Sequence, residues 1–293
     1  MDFFISIITQ GLIYAILALG VYITYKILDF PDLTVDGSFP LGAAISALLI
    51  TKGVSPYLTL PIAFLAGALA GVCTGIIHVK FKVRDLLSGI IMMTALWTIN
   101  LRVASTSNVP LFSQETIFRN TTLERIIPAP LAPYTTLIMV ILLTLIVKVL
   151  LDLYLQTKSG YLLRAAGDND KLVTSLAKDQ GNVKILGLSI ANGLVALAGS
   201  VFCQEQRVFE ISMGTGAVVI GLASVIIGTS LLKKVSFVKS TAAVIIGSII
   251  YKACVALALQ RFEAQDIRFI TAALFLIILI ISMDRRKKVK TDA

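Results

Sequence analysis

Three carboxylates stand close together in an otherwise apolar neighbourhood: Asp29, Asp32 and Asp36, interleaved with Pro31, Gly37 and Pro40 in LDFPDLTVDGSFP. Irregular backbone at membrane depth must be buried in protein or line a wet cavity, so this stretch is the first candidate for the lining of a translocation path. An ordinary surface loop with solvated aspartates is the competing reading. Other polar side chains able to face a moving solute are Ser88, Thr94, Trp97 and Asn100 in one apolar run, Asn192 in another and Glu210 in a polar interval beyond it. Each can instead serve as an interhelical hydrogen bond. Covalent or hydrolytic chemistry has no support. HExxH, paired CxxC, GxSxG and GxxxxGK[ST] patterns are all missing, so no catalytic residue, metal site or nucleotide site is expected.

The elements that must carry these residues follow from hydropathy. Apolar runs cover 3–28, 39–50, 56–79, 86–101, 134–155, 185–202, 217–232, 237–259 and 269–283. A spanning helix needs roughly 20 apolar residues, and 39–50 and 217–232 fall short. The chain of 293 residues is 57% hydrophobic and 15% charged with mean hydropathy +0.89, far outside soluble composition. The expectation is an all-α polytopic membrane protein, one transmembrane domain over 1–293, with about 8–9 crossings and broken segments near 29–51 and 205–232. Cys73, Cys203 and Cys254 read as small buried hydrophobes.

Charge orients the runs. Lys80, Lys82 and Arg84 form one basic loop, Lys158, Arg164, Lys171, Lys178 and Lys184 a second, and Lys233, Lys234 and Lys239 a third. The tail 284–293 carries five more basic residues. All four fall on one side, the cytoplasmic side by the positive-inside rule, and this accounts for the net charge of +9 without nucleic acid. The loop 102–133 then faces out. The N-terminus is outside if 39–50 crosses and inside if it is re-entrant.

Three further patterns bear on function. The text from GLVALAGSVFC to GTGAVVIGLAS resembles that from GLIYAILALG to FPLGAAIS in outline, a long apolar run, a polar stretch and a Gly-rich short run, as in transporters built from repeats. Gly67, Gly71 and Gly75 line one helix face for close packing, with a partner in this chain or another. In the polar interval 159–184, Asp168 or Asn169 is placed to cap a short helix and Gly181 to stop it in a left-handed conformation. Leu172, Val173, Leu176 and Ala177 share its apolar face. That face suits a groove on a partner, packing on its own protein, or the headgroup layer.

The segment Arg164-Ala165-Ala166-Gly167-Asp168-Asn169, with Ala177 and Gly181, resembles the cytoplasmic coupling loop of ABC importer permeases of the branched-chain amino acid, ribose and nucleoside type. Leu33-Thr34-Val35-Asp36-Gly37-Ser38-Phe39-Pro40-Leu41-Gly42-Ala43-Ala44 is similar, more narrowly, to a bacterial subgroup assigned to tryptophan or tyrosine uptake. Asp29-Phe30-Pro31-Asp32 departs from the Asn-Phe-Ala-His of many relatives, which leaves the substrate class open. The resemblance implies a bacterial plasma membrane location with a cytoplasmic C-terminus, and a second permease copy. It also implies two cytoplasmic ATPases that bind ATP-Mg, an extracytoplasmic solute-binding lipoprotein, and lipid around the whole. It makes Arg164, Gly167, Asp168, Asn169, Leu172, Val173, Leu176, Ala177 and Gly181 the ATPase-coupling residues. The rival expectation is a self-sufficient secondary transporter or channel, and a weaker one is a structural scaffold.

Overall fold

The computed structural model describes residues 2–120, 134–168, 180–232, 239–260, 266 and 269–280. Helix α1 (Asp2–Val21) continues as a π-helix, Tyr22–Ile27, and after a short connection α2 (Val35–Thr51) begins. Then come α3 (Pro56–Val79), α4 (Asp85–Ala104) and strand β1 (Asn108–Pro110). They are followed by α5 (Thr135–Leu155), α6 (Lys158–Asp168) and α7 (Gln180–Gln206). Strand β2 (Val208–Glu210) and a 3₁₀ turn, Ile211–Gly214, lead to α8 (Ala217–Leu231), α9 (Ser240–Leu259) and α10 (Phe269–Ile280). Among the described residues seven helical stretches are long and apolar enough to cross a membrane, and α2 and α10 are shorter apolar helices. The fold is all-α and polytopic but for one strand pair. β1 and β2 join antiparallel through Asn108↔Glu210 and Val109↔Phe209, so the two polar intervals expected as separate loops form one cap.

Two halves of the chain repeat the same packing in opposite directions. α1 and α7 are the most enclosed spans. α3 lies along α7 and α9 along α1, while α2 packs on α7 and α8 on α1. The π-helical end of α1 meets α6, where a Cβ on Gly167 would fall 1.8 Å from the Ile27 carbonyl oxygen, and Leu28 meets Gly187 near the start of α7. Thus α1 ends on the side where α7 begins, here called the inner side because it holds α6. α2 then rises from the interior to the outer side, where Ile50 borders a surface depression of about 360 Å³ with Tyr57 and Gln114. The extended stretch before α2 lies in the inner half of the bundle, and α1 starts at the end of the bundle away from α6.

Glycine spacing explains the tightness of the seams. Cβ atoms on Gly67, Gly71 and Gly75 of α3 would come within 2.4, 2.2 and 2.9 Å of Asn192 O, Leu188 O and Ile185 Cα of α7. The glycine face therefore finds its partner inside the same chain. At the inner boundary Asp152 pairs with Lys148 at 3.0 Å, as i, i+4 spacing predicts, and also receives Lys239 at 3.5 Å and the Thr241 hydroxyl at 2.6 Å. It thereby ties the start of α9 to the end of α5. The cysteine expectation holds for one residue only: Cys203 is buried, whereas Cys73 and Cys254 sit on exposed helix faces, where a thiol meets lipid as comfortably as protein.

Candidate functional site

The two short helices start in the interior and run apart, α2 outward and α8 inward, and their N-terminal ends meet at Asp36. A free helix start leaves backbone N–H groups without partners, and within a membrane no water is at hand to take them. Asp36, in the first turn of α2, spends its carboxylate on the other helix. Gly216 N donates to Oδ2 at 3.0 Å and Val218 N donates to Oδ1 at 2.8 Å. The half-buried anion also sits at the positive end of the α8 dipole. Pro40, four residues on, has no N–H to give the Asp36 carbonyl, and Gly214 packs against that carbonyl with a would-be Cβ at 2.2 Å. Gly216 holds φ +83°, a value that lets the chain turn sharply into α8. Replacing Asp36 with Ala is expected to lower unfolding stability by about 1–2 kcal/mol, with Asn recovering part of the loss. Thermal unfolding in detergent reads this, and an unshifted midpoint would remove Asp36 from the junction.

Asp32 anchors the stretch before α2. It is 3% exposed and accepts from Thr34 N at 2.9 Å and from Asn192 Nδ2 at 2.7 Å. Asn192, wholly buried on α7, in turn accepts from the Ser38 hydroxyl at 2.7 Å. The Thr34 hydroxyl meets that of Thr74 on α3 at 2.9 Å, and Asn100 on α4 donates to Gly37 O at 3.0 Å. The first turn of α2 is therefore held by α3, α4 and α7 together. A buried carboxylate survives only with such donors, because removing it from water without them costs far more than one hydrogen bond returns. The result is a sealed polar lattice around a break in the helix.

Of the six residues expected on a path, Asp32, Asp36, Asn100 and Asn192 come together here. Trp97 and Glu210 do not. Trp97 is 47% exposed at the edge of the α4 face that buries Asn100 one turn on, and Glu210 is exposed in β2, bonded to the Ser212 hydroxyl. The partners Ser38, Thr34 and Thr74 escaped sequence reading, as did Ser46 with Ser200 at 2.5 Å and Gln204, which accepts from Ile117 N at 3.0 Å and donates to Thr59 at 2.9 Å. Single hydroxyls within apolar runs carry no periodic mark that separates them from fillers.

On the inner face, Arg164 is exposed on α6, while Leu163 and Ala166 are buried and Gly167 lies against Ile27. Within the interval 159–184 the described residues are 159–168 and 180–184. Its first third is α6, so Asp168 belongs to a helix instead of standing free before one. Gly181 lies in the first turn of α7 without a positive φ, so no left-handed stop exists there. Asn169, Leu172, Val173, Leu176 and Ala177 lie outside the described residues.

Comparison with known proteins bears on what such a bundle is for. Residues 3–283 match the family described as branched-chain amino acid transport system / permease component. A tyrosine transport system permease protein of Clostridioides difficile is 45% identical over 269 residues, 92% of this chain and 87% of that one. An uncharacterized protein of Rickettsia prowazekii is 34% identical over 228 residues, covering 78% and 77%. A probable branched-chain amino acid transport permease protein of Methanocaldococcus jannaschii is 27% identical over 216 residues, covering 70% and 66%. No solved structure gives a significant match. With nine apolar helices around two opposed helix breaks among its described residues, and a family match over nearly its whole length, the chain belongs to the branched-chain amino acid transport system permease components, as a multi-pass membrane transport subunit.

Proposed function

We propose that this permease is the membrane-spanning subunit of an ATP-driven importer and carries a small polar solute, an aromatic amino acid, from the outer side to the cytoplasm. The hydrolysis of ATP-Mg belongs to two partner ATPases docked on the inner face at 159–184. A second permease copy completes the membrane unit, and an extracytoplasmic lipoprotein delivers the solute. The basic side of the bundle is the cytoplasmic one, which leaves the C-terminus inside. The preference for an aromatic amino acid rests on the 45% identity to a permease named for tyrosine.

One observation carries the mechanical part. α6 has no slack against α1, because Gly167 abuts the Ile27 carbonyl and Leu163 is fully buried beside Leu28 and Gly187. Close-packed interfaces pass displacement on instead of absorbing it. A pull on α6 reaches the π-helical end of α1, then the stretch holding Asp32, then the junction at Asp36. In this reading Arg164, Gly167 and Asp168 orient the coupling segment, and Asn169, Leu172, Val173, Leu176, Ala177 and Gly181 extend it. Trp97 and Thr94 on the exposed face of α4 are the path-lining candidates that remain accessible. The sealed residues Asp32, Asn100 and Asn192 support that path from behind.

Replacing both Leu172 and Leu176 with Asp is expected to leave membrane insertion intact and to abolish capture of the ATPase subunit in a pull-down. Each apolar side chain contributes roughly 1.5–3 kcal/mol to a docked surface before association costs, so losing two suffices. Unchanged capture would defeat the coupling role. Accumulation of tyrosine by liposomes holding the purified chain alone would favour the self-sufficient carrier.

A further inference from the structure

Toward the outer end of the bundle the interior carries charge that no part of the described lattice uses. Lys252 lies inside the apolar span α9, partly buried, with Nζ 3.8 Å from the centroid of the Tyr14 ring on α1. Among the described residues its ammonium has no hydrogen bond or ion pair, only that ring face and the field of Glu205 at the outer end of α7. A ring face cannot replace hydrogen bonds for three N–H donors. The next residue, Tyr251, is 1% exposed, and its buried hydroxyl has no partner among the described residues. Tyr251 and Glu205 are both within electrostatic reach of Tyr14. Among the described residues Glu205 is bonded only to the neighbouring Gln206 side chain.

Native interiors pair such groups, so an unpaired cluster calls for an occupant. A lysine in a span often snorkels to the headgroups, yet the neighbours of this one come from α1 and α7, the two most enclosed helices, and not from the lipid side. Beside the cluster the rings of Tyr14, Phe39 and Phe202 stand together. Tyr14 and Phe39 are stacked at 5.9 Å, and Phe202 lies 5.4 Å from Tyr14 and 5.6 Å from Phe39. Unmatched donors, one acceptor across from them and an aromatic wall describe complementarity to a zwitterion with a ring.

We propose that Lys252, Tyr251 and Glu205 form a recognition site for a small zwitterion with an aromatic body. The Lys252 ammonium and the Tyr251 hydroxyl donate to its carboxylate, Glu205 accepts from its ammonium, and the edges of the Tyr14 and Phe202 rings form one wall on which the body rests. This rests on the importer reading and supplies it with specificity-determining residues in the outer half of the bundle.

The test is equilibrium binding to the purified full chain in lipid nanodiscs, using L-tyrosine, tyramine, which lacks the carboxylate, and 3-(4-hydroxyphenyl)propanoate, which lacks the ammonium. Replacing Lys252 with Met is expected to weaken L-tyrosine and the propanoate by about 10- to 100-fold and tyramine by less than about 3-fold, the loss of one charge-assisted contact. Glu205→Gln should do the reverse, weakening L-tyrosine and tyramine but not the propanoate. Lys252→Arg keeps the charge and should stay within about 10-fold of the parent for all three. Equal losses across the three ligands would assign Lys252 to packing alone and overturn the proposal. So would an absence of L-tyrosine binding by the parent chain, which points to water or lipid as the occupant. If Lys252→Met does not fold, the selectivity reversal in Glu205→Gln decides. Capture of the ATPase subunit tests the importer reading separately, because Lys252 and Glu205 are remote from the inner face.

Discussion

Replacing Asn192 with Leu is expected to destabilise the permease by about 3–5 kcal/mol, more than any other single change to the polar lattice. Leucine shares the branched outline of asparagine and is the larger of the two, so the loss comes from the missing polar contacts and not from a cavity. The substitution removes the donor 2.7 Å from Asp32 Oδ2 and the acceptor for the Ser38 hydroxyl. Thr34 is left as the remaining described residue that donates to a carboxylate that is 3% exposed. Breaking one partner from a buried charge costs more than the pair returns, because the charge stays behind. A second substitution separates this cause from general damage: Asp32→Asn in the Asn192→Leu background is expected to recover about half the loss, since a neutral amide is far cheaper to bury. Unfolding in detergent under a denaturant series measures both. A single-mutant loss below about 1 kcal/mol would mean that water reaches Asp32 and that the lattice is open.

Gly42→Ala and Gly199→Ala are expected to cost about 2–3 kcal/mol each, the upper part of the range for overpacking. Alanine is the better helix former by roughly 0.5–1 kcal/mol, so without tertiary contact both changes would stabilise. The sign is therefore diagnostic. A Cβ on Gly42 would lie 1.8 Å from Ala196 O, and one on Gly199 1.9 Å from Phe39 O. Both obstacles are backbone atoms that no rotamer change can move, so α2 and α7 must separate. Once they have, the second substitution meets less resistance. The double variant should lose less than the sum, with a coupling of about 1 kcal/mol. Stabilisation by either single change would show that this seam is loose.

Much of this bundle is legible along the chain. The apolar runs 56–79, 134–155 and 217–232 coincide with α3, α5 and α8 within a residue at either end. Helix length and hydropathy are one-dimensional properties, and a lipid core imposes them on each span separately. Gly67, Gly71 and Gly75 declare a close contact through their spacing, and Lys148 with Asp152 declares an ion pair. The repeated outline of the two broken segments is a genuine signal too, since the two halves pack as inverted copies. The interval 159–184 read less well. α6 carries polar residues on its exposed face, and polarity alone does not distinguish a helix packed on the inner surface from a loop.

What the sequence determined by itself is the class and the inventory: a polytopic permease, where its helices run, where two of them break, and which polar residues stand at the breaks. What only tertiary structure decided is which of those residues act together. Asp36 and Gly216 are 180 residues apart and Asp32 and Asn192 160 apart, and Lys252 reaches the Tyr14 ring only because α9 folds back along α1. The reason is physical. Hydropathy acts residue by residue and leaves its mark locally, whereas satisfying a buried donor or charge requires a specific partner whose distance along the chain is set by topology alone.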